Sequence, residues 1–216
     1  MNNKQQVLST DVLVIGGGIA GLAAAVTIKE TDSNTDVLIV EKQTTGYSGK
    51  ANRGGGVLQY FDFNRVDPME FVGYHANAVG CFLGDQEQML RYVKMNNQMI
   101  DKLIEWGVKV PFNEDGTLKI IPTGPMTGMI GVDLDITLQV RRTAEKKGVK
   151  IIDKVTVSDL LTNNNEIVGA TGYSLLDGTF YVIKAKSVIL ATGSQNYRVI
   201  NMWSNGRGDG IAAKPS

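Results

Sequence analysis

The chain has 216 residues, enough for one large domain or for one domain carrying an insertion. Its 22 Lys and Arg balance its 22 Asp and Glu, so there is no electrostatic footprint for nucleic acid. One cysteine, Cys81, and one histidine, His75, exclude an internal disulfide, a cysteine-rich metal site and a multi-histidine metal centre.

The first ten residues, MNNKQQVLST, read as a polar lead-in without the apolar core of a signal peptide. No run of about 18 apolar residues follows. The expectation is a cytoplasmic protein with no direct membrane span. Val12 to Ile15 is short, apolar and β-branched, and reads as a buried strand. Gly16-Gly17-Gly18 comes next, then a helix-forming run through Ala20, Gly21 and Leu22 to about Lys29. Gly16, Gly18 and Gly21 stand at GxGxxG spacing. In such a turn the first glycine permits the bend, the second admits a pyrophosphate, and the third lets helix and strand pack closely; the helix N-terminus then meets the anion. A second strand, Asp36 to Glu41, completes a βαβ unit. Glu41 lies 25 positions after Gly16, near the spacing of about 20 at which an acid accepts from a ribose hydroxyl. That acid argues against a 2′-phosphate and leaves NAD and FAD open on the fingerprint alone.

Lys42 to Gly56, KQTTGYSGKANRGGG, is too rich in Gly, Ser, Thr and Asn for a regular element. A loop of this kind at the carboxyl end of a parallel strand is a ligand position, with Lys50 and Arg53 as its polar candidates. Asp67-Pro68 predicts a helix start, and Asp85 opens a longer helix that Gly107 stops. Its Met residues and Trp106 read as core, and His75 as packing or surface rather than ligand contact. Pro111 to Gly131 reads as irregular. Asp133 to Lys147 is a helix stopped by Gly148. Val149–Ile152, Val155–Leu161, Ile167–Tyr173 and Phe180–Ile183 read as strands of a small antiparallel meander, with turns at Asn163-Asn164-Asn165 and Asp177-Gly178. Val188 to Ala191 returns as a buried strand ending in Thr192-Gly193. Ser204 to Gly210 is a Gly-rich turn opening a last helix.

Five motifs in order, GGGIAG, IVEK, SGKANRGGG, AKSVILATG and GRGDG, resemble the N-terminal half of the fumarate reductase/succinate dehydrogenase flavoprotein family. That family includes L-aspartate oxidase and the flavin subunit of adenylylsulfate reductase. EWGVKV and YVIKAKSVILATGSQNYR are most similar to the adenylylsulfate reductase-like members. The resemblance implies an α/β fold: a Rossmann-like FAD-binding parallel sheet with a small antiparallel meander and a helical insertion. Residues 1–60 and 149–216 would form the FAD-binding domain and 61–148 a mainly helical insertion. It implies that Gly16, Gly17, Gly18, Ala20 and Gly21 cradle the pyrophosphate. Glu41 would bond the adenosine ribose, with Lys42 and Gln43 beside it. Ser48, Gly49, Lys50, Gly54 and Gly55 would run past the ribityl chain and isoalloxazine. Val155 would meet the adenine through its backbone. Ala191, Thr192 and Gly193 would close over the dinucleotide, with Asp209 near the flavin.

Two departures from the family shape the expectation. Membrane-bound members carry, after the loop serine, a histidine bonded covalently to the flavin; Gly49 stands there, so the FAD is expected to be noncovalent. In the family a capping domain and the rest of the FAD domain follow the GDG turn and carry the proton-delivering arginine and most substrate contacts. The sequence ends at Lys214-Pro215-Ser216. The reading therefore assigns no catalytic residue and no metal ligand to these residues, and expects them to be inactive alone. A full-length protein would move a hydride between FAD and a small acid, with an iron–sulfur or other electron-transfer subunit as a candidate partner. The alternatives are a truncated nucleotide-binding module without chemistry and a flavin subunit completed by a partner chain.

Overall fold

The computed structural model describes residues 4–53, 56–65, 67–124 and 126–193. Their contacts divide the chain into two compact units, 1–54 with 134–216, and 55–133.

The first unit is built on a six-stranded sheet. Its elements are β1 (Gln5–Ile15), α1 (Ile19–Thr31), β2 (Val37–Glu41), a single 3-10 turn (Ala51–Arg53), α4 (Ile136–Lys146), β6 (Lys150–Asp153), β7 (Val155–Asn163), β8 (Glu166–Ser174) and β9 (Phe180–Leu190). The strand order is β6-β2-β1-β9-β8-β7. β6, β2, β1 and β9 run parallel, and β8 and β7 continue antiparallel. β2 reads VLIVE and is buried along its whole length, as a central parallel strand covered on both faces should be. Alternation divides its neighbours between those faces. Leu13, Ile15, Leu38 and Val40 form one cluster with Ile183 of β9 and with Val155 and Ala170 of the antiparallel β7 and β8. Val14, Val37 and Ile39 point the other way, toward the side on which α1 lies. α1 in turn packs against α4, through which Val140 and Ala144 are buried. At the amino end, Asp11 accepts from the Asp36 N–H at 2.8 Å and pairs with Lys186 at 2.6 Å. The Lys186 ammonium, and then the Asp36 amide, hold its carboxyl below the usual range.

Three sequence expectations change here. The polar lead-in is largely strand: β1 begins at Gln5 and pairs with β9 from Gln5↔Phe180 to Ile15↔Leu190. Its first half is exposed, so no apolar pattern announces it. The two strands expected at Phe180–Ile183 and Val188–Ala191 are one, β9, whose charged positions alternate with apolar ones. Finally, β6 belongs to the parallel sheet beside β2 rather than to the meander. A single residue separates β6 from β7. That residue, Lys154, sits in the left-handed region at φ 64°, and β6 and β7 hold the two outer positions of the strand order. The hairpin at Asn163-Asn164-Asn165 forms as expected, with positive φ at Asn164 and Asn165 and Asn163 paired to Glu166.

The second unit holds β3 (Val57–Phe61), α2 (Pro68–Ala78), α3 (Gln86–Glu105), β4 (Ile121–Pro122) and β5 (Thr127–Gly131). Asp67 and Asp85 cap the two helices through side-chain bonds from the Met69 and Gln88 N–H groups. The stretch expected to be irregular instead supplies β4 and β5, which with β3 make an antiparallel sheet in the order β3-β5-β4. Asn97 of α3 covers the free edge of β3: its Oδ1 accepts from the Phe61 N–H at 3.2 Å and its Nδ2 donates to Phe61 O at 2.7 Å. Phe61, Phe71 and Val93 form the core beneath, with the Phe61 and Phe71 rings edge to face at 4.8 Å. The contact boundaries also differ from the expected domain limits. α4 falls inside 61–148, yet it packs on α1 in the first unit, while β3 falls in the second.

Candidate functional site: the glycine turn and the loop beside it

The site forms at the carboxyl ends of three adjacent parallel strands, the usual ligand position in such sheets. The Gly16 N–H donates to Val40 O at 2.8 Å, and the Ala191 N–H donates to Ile15 O at 2.8 Å, so the ends of β2, β1 and β9 are tied level.

The glycines of the turn have different reasons to be glycine. Gly16 has φ 111°, and a Cβ there would lie 2.4 Å from Ala191 O. Gly17 faces Thr45, whose Oγ1 would be 2.3 Å from an added Cβ. A Cβ on Gly21 would meet Gly16 O at 1.9 Å, which is the close packing of helix on turn. Gly18 alone faces open space, with nothing within 4 Å of an added Cβ, and its φ of −75° is ordinary. Gly18 is also the N-cap of α1, with no side-chain cap and no acidic residue in the first turn. The first-turn N–H groups, Ala20 among them, have no intrahelical acceptor, and the helix dipole adds to their pull on an anion.

Glu41 ends β2 and is 7% exposed. Its Oε2 accepts from the Gly17 N–H at 2.6 Å and its Oε1 from the Gln43 N–H at 2.8 Å. A carboxylate has about four acceptor positions, so Glu41 has capacity beyond these two bonds. Gln43 O accepts from the Lys154 N–H at 3.1 Å, which brings the start of β7, and so Val155, beside the Glu41–Gln43 segment. Val155 itself is core. Lys42 is half-buried next to Glu41, while Lys50 is exposed.

The loop then returns to the turn. The Gly46 N–H donates to Gly17 O at 3.4 Å, and a Cβ on Gly49 would lie 3.4 Å from the Gly18 Cα. Ser48 is buried and its hydroxyl finds no partner among the described residues; the same holds for the Thr45 and Thr137 hydroxyls and Asn52 Oδ1. Buried polar atoms left unpaired are costly, so an orphan hydroxyl in the loop that returns to an open glycine is a candidate contact for a ligand group or water. The open Gly18, the uncapped helix and the Ser48 hydroxyl together fit a dinucleotide.

The structure thus brings together Gly16, Gly17, Gly18, Gly21, Glu41, Gln43, Ser48, Gly49 and Ala191, with Thr192 and Gly193 continuing past β9. Gly54, Gly55, Asp209 and the turn at 204–210 lie outside the described residues. His75 belongs to the second unit, where it lines a cavity of about 340 Å³ with Phe71, Met89 and Tyr92.

Arg141, Asp153 and Thr45 escaped the sequence reading. The Arg141 Nη1 donates to Thr45 O at 2.6 Å and to Asp153 Oδ2 at 3.2 Å, and its Nε donates to Glu145 Oε1 at 2.8 Å. Burial alone would lower the guanidinium pKa; the Glu145 bond and the Asp153 charge outweigh it and raise the value. The only local signal was Arg141 and Glu145 at i,i+4, which any exposed helix face can carry.

The chain is similar to known flavoproteins in sequence and in fold. A family model described as FAD binding domain matches residues 11–213. The flavoprotein subunit of 8-methylmenaquinol:fumarate reductase from Wolinella succinogenes is 29% identical over 98% of this chain and 36% of its own length. L-aspartate oxidase from Clostridium acetobutylicum is 29% identical over 86% of this chain and 43% of its own. Among solved structures, adenylylsulfate reductase from Archaeoglobus fulgidus superimposes with a TM-score of 0.74 at 26% identity, covering 93% of this chain and 33% of that one. A quinol-fumarate reductase at 20% identity shares the fold with a TM-score of 0.80 over 96% of this chain and 37% of that one. The chain spans about two fifths or less of the length of these relatives. A family match over nearly the whole sequence means that this chain belongs to the FAD binding domain family.

Proposed function

We propose that the unit of residues 1–54 and 134–216 is the FAD-binding body of an oxidoreductase that moves a hydride between FAD and a small acid substrate, and that the unit of 55–133 is inserted into it. The observation that carries the reading is Gly18: an open glycine at an uncapped helix N-terminus, with the orphan Ser48 hydroxyl in the loop that returns to it. In this reading the α1 N-terminus binds the pyrophosphate, Glu41 accepts from the adenosine ribose, and Ser48 and Gly49 border the flavin half. When bound, FAD supplies the two-electron chemistry, and the protein orients it. The relative from Wolinella is named as a flavoprotein subunit, which supports an electron-transfer partner such as an iron–sulfur subunit. No helix among the described residues is long and apolar enough to cross a membrane. The single cysteine supports a reducing, cytoplasmic setting. Visible absorption of the purified chain, before and after denaturation, tests the cofactor: a released flavin spectrum supports the reading, and a colourless chain that takes up no added FAD overturns it.

The flavin should come off without breaking a bond. Gly49 occupies the position of the linking histidine and has φ 86°, a conformation unfavourable to any β-carbon-bearing residue. Acid precipitation is expected to leave the yellow colour in the supernatant; colour retained in the pellet would show a covalent link.

These 216 residues by themselves are expected to turn over no dicarboxylate, even with FAD in excess. Hydride transfer needs a substrate carbon held about 3–3.5 Å from the flavin and a positioned proton donor. In the unit that carries the glycine turn, Arg141 already holds Thr45, Asp153 and Glu145. Oxidation of a reduced dye with fumarate and related acids measures this, and sustained turnover would place an active site in this chain after all.

A further inference from the structure

The loop 42–53 lacks strand pairing, yet both backbone atoms of its Thr45 are held. The Thr45 N–H donates to Asp153 Oδ1 at 2.8 Å, and Thr45 O accepts from Arg141 Nη1 at 2.6 Å. Arg141 and Asp153 also pair with each other at 3.2 Å, so the three groups close a ring of hydrogen bonds between α4, β6 and the loop. The stem of Arg141 supports the next residue: a Cβ on Gly46 would lie 3.0 Å from Arg141 Cδ. The same short stretch touches the glycine turn, through Thr45 against Gly17, Gly46 N–H on Gly17 O, and Gly49 against Gly18.

We infer that the Arg141–Asp153 pair is a positioning device for the cofactor: it fixes Thr45, and through Thr45 it sets where Ser48 and Gly49 stand relative to Gly18. The inference rests on the FAD reading for its consequence, but the device is a property of the chain itself. Neither residue touches the cofactor in this account. Arginine suits the task because its planar fork meets three acceptors at once, here Thr45 O, Asp153 Oδ2 and Glu145 Oε1. A lysine ammonium, a point charge on a flexible stem, cannot hold all three in fixed geometry. Asp153 complements it by accepting from the Thr45 N–H with one oxygen and from Arg141 with the other.

Four variants and two readouts test this. FAD affinity by fluorescence titration should weaken about tenfold in Arg141→Lys and further in Arg141→Ala, since the fork is lost in both. Asp153→Asn should fall between these and wild type, because its amide oxygen still accepts from Thr45 while the charge facing Arg141 is gone. Glu145→Gln, which touches Arg141 but not the loop, should stay within about twofold of wild type. In the FAD-free chain, hydrogen exchange in a peptide covering residues 44–50 should quicken in Arg141→Ala and Asp153→Asn but not in Glu145→Gln. Unchanged affinity and unchanged exchange in the Arg141 variants would overturn the inference. So would a Glu145→Gln loss equal to that of Arg141→Lys, because the effect would then belong to the stability of α4. If the wild-type chain takes up no FAD while loop exchange still responds to Arg141, the device stands and the cofactor reading falls.

Discussion

A Gly18→Val chain is expected to lose FAD binding by at least about a hundredfold, the equivalent of about 2.7 kcal/mol, while remaining folded. Both halves of this result follow from the position of Gly18. An added Cβ would meet nothing within 4 Å in the protein, so the side chain has room in the cofactor-free state. The backbone at φ −75° is one that valine adopts freely. The local cost is confined to a poorer N-cap, about 0.5–1 kcal/mol, which moves the melting temperature of a chain of this size by no more than about 4 °C. The same open space is where a pyrophosphate must approach the first-turn N–H groups of α1. An isopropyl group there holds the phosphates away from donors that act only at hydrogen-bond distance. Titration with FAD, together with thermal melts of the cofactor-free chains, checks the pair of outcomes. Wild-type affinity in the variant would remove the pyrophosphate from this turn.

How much of this site could be read in the sequence depended on how local each feature is. The βαβ opening was legible because its signals lie within about 30 residues: a β-branched run, three glycines at fixed spacing, and an acid at the end of the next strand. The helix starts at Asp67 and Asp85 were legible for the same reason, each cap bonding within three residues. The first half of β1 was not, because its partner β9 lies at the far end of the described chain and its own residues are exposed. β4 and β5 were hidden by Gly and Pro in strands of two and five residues, too short for a period to show. Arg141 was invisible in its loop-holding role, since the carbonyl that it grips is 96 residues earlier. Lys154 carried no signal because nothing in its type announces a left-handed residue, although it is the only residue between β6 and β7. Sequence pattern thus located the glycine turn, whereas the means of holding the adjoining loop became visible only when the sheet brought α4 and β6 to it.

Gly16→Ala should act on the fold rather than on the cofactor. At φ 111° a β-carbon is strained by about 1–3 kcal/mol whatever space surrounds it. Here there is no space either. The new carbon would sit 2.4 Å from Ala191 O and 2.8 Å from Ala191 C, backbone atoms tied to β1 by the Ala191 N–H bond to Ile15 O. Overpacking of this kind costs typically a further 1–3 kcal/mol, and rigid backbone places it toward the upper end. The sum, about 3–5 kcal/mol, is a large share of the 5–15 kcal/mol that holds an ordinary domain together. Gly21→Ala belongs to the same class, because its carbon would meet Gly16 O at 1.9 Å and separate α1 from the turn. With a urea slope of about 2 kcal/mol per molar, either substitution should lower the unfolding midpoint by about 1.5–2.5 M in the absence of FAD. Gly18→Val should barely move that midpoint. Excess FAD would recover part of the loss in Gly16→Ala by mass action, in proportion to whatever affinity remains, and none in Gly18→Val. Cofactor-free Gly16→Ala that unfolds at the wild-type urea concentration would mean that the ends of β1 and β9 do not approach as closely as described, and the level sheet edge on which the site stands would have to be abandoned.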